Sequence, residues 1–399
     1  MNKMKRIFAF LLSLSLVFAL CACSGSGDKN NDSTNSPITD YVAAVANYTK
    51  TIAGLDPDTV VFTVNGVDVT AEFYLYWLTY DCYYWDYMNY VTYGAYLDFN
   101  EKVSEGYTVA DYLRDDAKNF AAYYVLIDQL AEANNCGLTE EQSAAWAEEK
   151  AKYIKENGQE GFEKLLAQYG LHEGVFDRIN TYSYVYANLK DVLVDEPSDL
   201  ELNDYIESNK IYSAKHILIC TATKKDGKVV VNATGKEAVD ENGEKWTATA
   251  TEYNAAALTK AESILAQLQA AVGTEDFEKL FDELMKKYSE DTGLETNPNG
   301  YTFTTNEMVK EFETGVTALK YGEMSGIVES QYGYHIILRL EPDVKADYMT
   351  DELDSILEKK LEDAEIVTTD VFKAIDSYDA YKKYVTYQGN LNPTKTETK

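Results

Sequence analysis

Only three histidines occur in the 399 residues: His172, His216 and His335. Two of them fall in short apolar runs rich in β-branched residues, Lys215 to Cys220 and Tyr334 to Leu340, which read as strands. Imidazole is the side chain whose charge and hydrogen bonding change near neutral pH. If the first and last strands of this segment pair in the centre of a sheet, the two imidazoles meet. A strand histidine is more often a hydrogen-bonded core residue than a catalyst, so the pair alone names no reaction. His172 stands at an apparent helix start and is expected at the surface without a role. Beyond an apolar N-terminal stretch the cysteines are Cys23, Cys82, Cys136 and Cys220. Their spacing is neither a disulfide framework nor a zinc pattern, so no metal or cofactor is expected. Cys82, Cys136 and Cys220 read as isolated small core residues.

The elements that must position the histidines form an α+β pattern. A strand runs from Lys215 to Cys220. Residues 221 to 250 are polar, with turn signals at Asp226-Gly227 and Asn242-Gly243 around Val229-Val230-Val231, and predict an inserted β-ribbon or long loop. Ala257, Ala261, Ile264 and Leu268 mark one helix, and Phe277, Leu280, Phe281 and Leu284 another. Asn306 is expected to cap a shorter helix through Leu319. Ile327-Val328 and Tyr334 to Leu340 are strands about a turn at Gln331-Tyr332-Gly333. The order β-α-α-α-β-β is that of a compact α+β domain.

On either side the pattern is helical. Val60 to Val64 reads as a strand before an Asn65-Gly66 turn, and helix is expected from near Thr70. Tyr76, Tyr80, Tyr83, Tyr87 and Tyr90 share one face of that helix. Such a stripe is more often core than a contact surface for clients. Thr139 with Gln142 is a capping box, Phe162, Leu165, Leu166 and Tyr169 mark a further helix, and Ser198 with Glu201 opens a short one. Helices resume from Asp351. The domain boundaries are therefore 46–209 for an N-terminal helical segment, 210–341 for the α+β domain, and 342–399 for a C-terminal helical segment packing on the first.

Lys3, Lys5 and Arg6 precede an apolar stretch from Ile7 to Leu20, the form of an export signal. Leu20-Cys21-Ala22-Cys23 resembles the lipobox of bacterial lipoproteins. That resemblance implies a signal peptide over 1–22, lipid on Cys23 as a membrane anchor, and a flexible tether over 23–45. The 36 basic against 67 acidic residues give a net charge of −31, which argues against nucleic acid as a partner.

Five segments in order resemble parvulin-type peptidyl-prolyl isomerases, over about 211 to 341. They are Ala214-Lys215-His216-Ile217-Leu218-Ile219, Lys287-Tyr288-Ser289-Glu290-Asp291-Thr292, Met308-Val309-Lys310-Glu311-Phe312, Leu319 to Gly326, and Gly333-Tyr334-His335-Ile336-Ile337. The layout resembles the PrsA/SurA-like extracytoplasmic foldase lipoproteins, in which helical segments flank the parvulin (FKBP-like) domain and form a mainly α chaperone-like domain. The resemblance implies that His216, Asp291 and His335 are catalytic, that Met308, Phe312, Ser330 and Phe303 bind substrate, and that unfolded exported polypeptides are the partners. The oligomeric state is left open, a homodimer included. The family's Gly-Asp-Leu-Gly stretch appears as Pro298-Asn299-Gly300-Tyr301, so Gly300 replaces an apolar pocket residue. A non-catalytic holdase that keeps the fold as a binding module is the competing reading. A solute-binding lipoprotein is disfavoured, because no repeating βα pattern is present.

Overall fold

The computed structural model describes residues 38–225, 228–240 and 242–392. The expected signal peptide, the lipid-bearing Cys23 and the tether up to residue 37 lie outside the described residues. Helix α1 (Tyr41–Ala53) begins inside the stretch expected to be tether, because the Asp40 side chain accepts from the Ala43 amide and caps it. Strands β1 (Val60–Val64) and β2 (Val67–Thr70) form a hairpin and lead into α2 (Ala71–Tyr93). The small hairpin β3 (Lys102–Ser104) and β4 (Tyr107–Thr108) precedes α3 (Val109–Ala133), α4 (Glu140–Tyr169) and α5 (Glu173–Leu193). Capping boxes start α3 at Thr108 and α4 at Thr139. The helices expected around Thr139 and Phe162 are one interrupted element: Gly158, at φ +77°, breaks α4 where an L side chain would be strained.

Next come α6 (Asp199–Asn209), β5 (Tyr212–Cys220), the ribbon β6 (Ala222–Lys225) and β7 (Lys228–Asn232), α7 (Ala250–Ala271) and α8 (Phe277–Tyr288). Then follow β8 (Tyr301–Phe303), α9 (Lys310–Thr317), β9 (Met324–Ser330) and β10 (Gly333–Leu340). The chain ends in α10 (Lys345–Glu362), β11 (Ile366–Thr368), α11 (Asp370–Ala374) and α12 (Ser377–Leu391). Two compact units divide it. One takes the described residues up to Glu196 and from Met349 onward, and the other is Pro197–Tyr348. Helix α6, expected to close the N-terminal segment, therefore belongs with the α+β unit.

The first unit has one core, to which residues near both ends of the chain contribute. Strand β1 pairs with β2 on one edge and with β11 on the other, Thr63 facing Val367. Phe62, Tyr74 and Phe372 meet edge to face at 5.4 to 5.9 Å. Two of the buried tyrosines find partners for their hydroxyls: Tyr48 shares a hydrogen bond with Thr79, and Tyr387 donates to the Ala167 carbonyl. The expected stripe on α2 divides. Tyr76 is buried and Tyr80 half-buried, whereas Tyr83, Tyr87 and Tyr90 are 46%, 50% and 49% exposed. The stripe is thus core only over its first turns. Among the described residues no helix is long and apolar enough to cross a membrane.

The second unit is built on an antiparallel sheet in the order β8-β5-β10-β9. Alternation along β5 and β10 sends Ile217, Ile219, Ile336 and Leu338 to one face, covered by α7 and α8 with Ala261, Ile264, Phe281 and Leu284. Ala214 and Ile337 point to the other face, where Phe303, Phe312 and Val316 complete a smaller cluster. Strand β8 was not expected: three residues are too few to show a period. Asn306 does not cap a helix. It lies in the left-handed region at φ +71°, and α9 starts only after Val309.

Candidate active site

The register of the two central strands brings the histidines together. His216 on β5 stands opposite Ile337, and His335 lies two residues before Ile337 on β10, so both imidazoles emerge on the smaller-cluster face as diagonal neighbours. Their Nδ1 atoms are 2.9 Å apart and their rings are nearly parallel, at 11°. The turn after α8 then supplies a carboxylate. The Leu218 amide donates to Ser289 Oγ, the Glu290 amide donates to the Leu218 carbonyl, and the Cys220 amide donates to Glu290 Oε2. These bonds fasten residues 289 and 290 along the part of β5 that the short β8 leaves unpaired and hold Asp291 beside His216. The distance from His216 Nε2 to Asp291 Oδ2 is 3.1 Å.

With both imidazoles neutral, the hydrogen bonds admit one set of proton positions. A carboxylate only accepts, so His216 Nε2 carries a proton toward Asp291. His216 Nδ1 is then an acceptor for His335 Nδ1–H. His335 Nε2 is left as acceptor for the Ser330 hydroxyl at 2.7 Å, and Ser330 Oγ itself accepts from the Tyr332 amide. The Asp291 carboxylate has three donors: His216 and the Tyr301 hydroxyl on Oδ2, and the Gly293 amide on Oδ1 at 3.0 Å. Burial alone would raise the Asp291 pKa. The hydrogen bonds from His216, Tyr301 and Gly293 outweigh it and hold the carboxyl well below the usual range. Burial above all pushes His335 down to about 3, so its ring is neutral near pH 7.

Phe312 walls the site. Its ring meets His216 at 5.0 Å and His335 at 5.6 Å, both steeply inclined. Half-buried Met308 packs against the same cluster. Phe303 was expected at the substrate but is buried, and it packs on Phe312 at 5.9 Å rather than on either imidazole. It supports the wall instead of lining the site. Gly300 is explained sterically. Its φ is +102°, and a Cβ there would lie 2.6 Å from the Ala214 carbonyl oxygen, so β8 can approach β5 only with glycine at this position. Tyr301 was missed by the sequence reading, its only sign being its place after Gly300. His172 is not idle: it precedes α5 as cap residue, and its Nδ1 lies 3.0 Å from the buried Glu72. Cys82 and Cys220 are buried and Cys136 half-buried, none in a disulfide. Among the described residues no group of His, Cys, Asp and Glu is arranged to hold a metal.

The α+β unit with this pair of histidines is a parvulin-type domain: residues 216–341 match the Rotamase family, described as the PPIC-type PPIase domain. The relatives it resembles are foldases. The chain is 41% identical over 108 residues to foldase protein PrsA 1 of Bacillus cereus, an alignment covering 25% of this chain and 37% of that protein. It is 32% identical over 254 residues to foldase protein PrsA of Staphylococcus aureus, covering 60% of this chain and 66% of that one. The chain thus spans about a third and just under two thirds of the length of these two relatives. The crystal structure of PrsA from Bacillus subtilis aligns at 20% identity and a TM-score of 0.25, over 72% of this chain and 93% of that one.

Proposed function

We propose that this chain is a foldase that isomerises X–Pro bonds in exported polypeptides, held at the outer face of a bacterial membrane by lipid on Cys23. The convergence of His216, His335 and Asp291 in one hydrogen-bonded network, against the Phe312 wall, carries this reading. Rotation about X–Pro crosses a barrier near ~20 kcal/mol because amide resonance is lost. No bond to carbon is made or broken, so the site needs a grip on the proline ring and a field that favours the twisted amide.

Met308 and Phe312 supply the apolar grip. A planar amide carries more negative charge on its carbonyl oxygen than a twisted one. A carboxylate fixed near that oxygen therefore disfavours the planar form more than the twisted form. Asp291 suits this task because its three donors keep it ionised and unable to act as a base. The two imidazoles and Ser330 hold it, through His216, in one orientation.

A holdase reading draws on a different observation, the exposed tyrosines of α2. The two readings part in a proline tetrapeptide assay. The parent chain from Cys23 onward should accelerate isomerisation, and His216→Ala should remove most of the acceleration, about ten- to a hundredfold. No acceleration by the parent, or a His216→Ala variant equal to it, would leave the holdase.

A further inference from the structure

Gly300 has no side chain to offer the site, and the contact with the Ala214 carbonyl forbids one. The next residue is directed where a side chain is wanted. In β8, Tyr301 pairs with Ala214 and Phe303 with Tyr212, so Tyr301 and Phe303 share the sheet face of the histidines. The Tyr301 ring is half-buried and stands 5.9 Å from the His216 ring at 70°. Its hydroxyl reaches Asp291 Oδ2 at 2.5 Å. Space for that hydroxyl exists because residue 293 is glycine: a Cβ there would fall 2.1 Å from the Tyr301 oxygen. Two glycines and one tyrosine thus interlock around a single carboxylate.

We propose that Tyr301 is a positioning residue of the isomerase site, its hydroxyl fixing the Asp291 carboxylate and its ring standing as the wall that Gly300 cannot form. Two consequences separate the two parts of the side chain. Removing the hydroxyl alone frees Asp291 to rotate on its remaining bonds to His216 and Gly293, which affects turnover. Removing the ring opens the pocket beside Phe312, which affects substrate binding. Burial, then the bond to Asp291, raises the Tyr301 phenol above its ordinary range, in keeping with a hydroxyl that donates and does not ionise. The titratable groups facing Asp291 are His216 from β5 and Tyr301 from β8, with His335 of β10 behind His216.

The inference rests on the isomerase reading, and its test has an arm independent of activity. Carboxyl carbon NMR on the chain from Cys23 onward follows the titration of Asp291 in the parent, in Tyr301→Phe and in Gly293→Ala. Loss of one donor should raise the Asp291 midpoint by about one pH unit in Tyr301→Phe. Gly293→Ala, which keeps Tyr301 but displaces its hydroxyl, should shift it in the same direction. In the peptide assay, Tyr301→Phe should lower kcat about tenfold with KM little changed, and Tyr301→Ala should raise KM as well. An Asp291 midpoint identical in parent and Tyr301→Phe overturns the proposal. So does a Tyr301→Ala variant with unchanged KM and kcat. A parent without isomerase activity sinks the foldase reading instead, while the titration still decides whether Tyr301 holds Asp291.

Discussion

His335 sets the behaviour of the site with pH. Its folded pKa, about 3, lies below the ordinary 6.5 of the unfolded chain. Below 6.5 the unfolded state therefore binds a proton that the folded state refuses, and stability falls with pH until about 3. The Asp291 carboxyl, also held below its ordinary range, adds a loss of the same sign only at lower pH, under its unfolded value of 3.8. From about pH 7.5 to about pH 5 the histidine alone should cost the α+β unit about 2 kcal/mol. Urea unfolding of the parent and of His335→Asn at the two pH values checks this. The variant should be less stable at the higher pH and should lose less on acidification. Equal slopes in the two proteins would mean that His335 is charged in the folded state. At this scale the sequence was informative where a residue type is rare. Three histidines left few pairs to weigh, and motif order singled out Asp291, which as a residue in a turn carries no signal of its own. Tyr301 stayed hidden because it is one of 33 tyrosines and its partner lies ten residues away in a different element.

Long periodic elements were legible and short ones were not. The capping boxes at Thr139 and Ser198 are local chemistry, complete within four residues, and both open helices as expected. Strands β8 and β11 have three residues each and exist because β5 and β1 present an edge to pair with. Nothing local distinguishes them from loop. The tyrosine stripe of α2 shows a further limit. Its spacing defines a face but not how far along the helix that face is covered. Near its C-terminal end Tyr83 stacks on Tyr87 at 6.4 Å, and Tyr90 on Tyr96 at 5.0 Å, with their surfaces open. Exposed aromatic surface of this kind adds little to stability and much to contact with other chains. Replacing Tyr87 and Tyr90 together by Ala should therefore change the unfolding free energy by no more than about 1 kcal/mol. The same pair of substitutions should weaken suppression of aggregation of an unfolded client. A large fall in stability with intact suppression would place these rings in the core after all.

Across the whole molecule two cores are built from different parts of the chain. The α+β unit closes its core from Pro197–Tyr348 alone, with Ile217, Ile336 and Phe281 on one sheet face and Phe312 and Ile337 on the other. The other unit cannot close without the end of the chain. Phe372 fills the space between Phe62 and Tyr74, Tyr387 packs on Tyr48 at 5.2 Å, and β11 completes the sheet on β1. Ending the chain at Asp363 removes all of these at once. Each lost buried aromatic costs about 3 kcal/mol or more, so two already approach the stability of an ordinary domain. The truncated chain should lose the thermal transition of the first unit and keep that of the α+β unit. Its proline-tetrapeptide activity should stay within about twofold of the parent, since no residue of the histidine site is touched. Calorimetry with the peptide assay on the same sample checks both halves. Loss of all cooperative unfolding together with activity would mean that the α+β core depends on the helical unit, whereas retention of both transitions would mean that the C-terminal segment is dispensable to the first core.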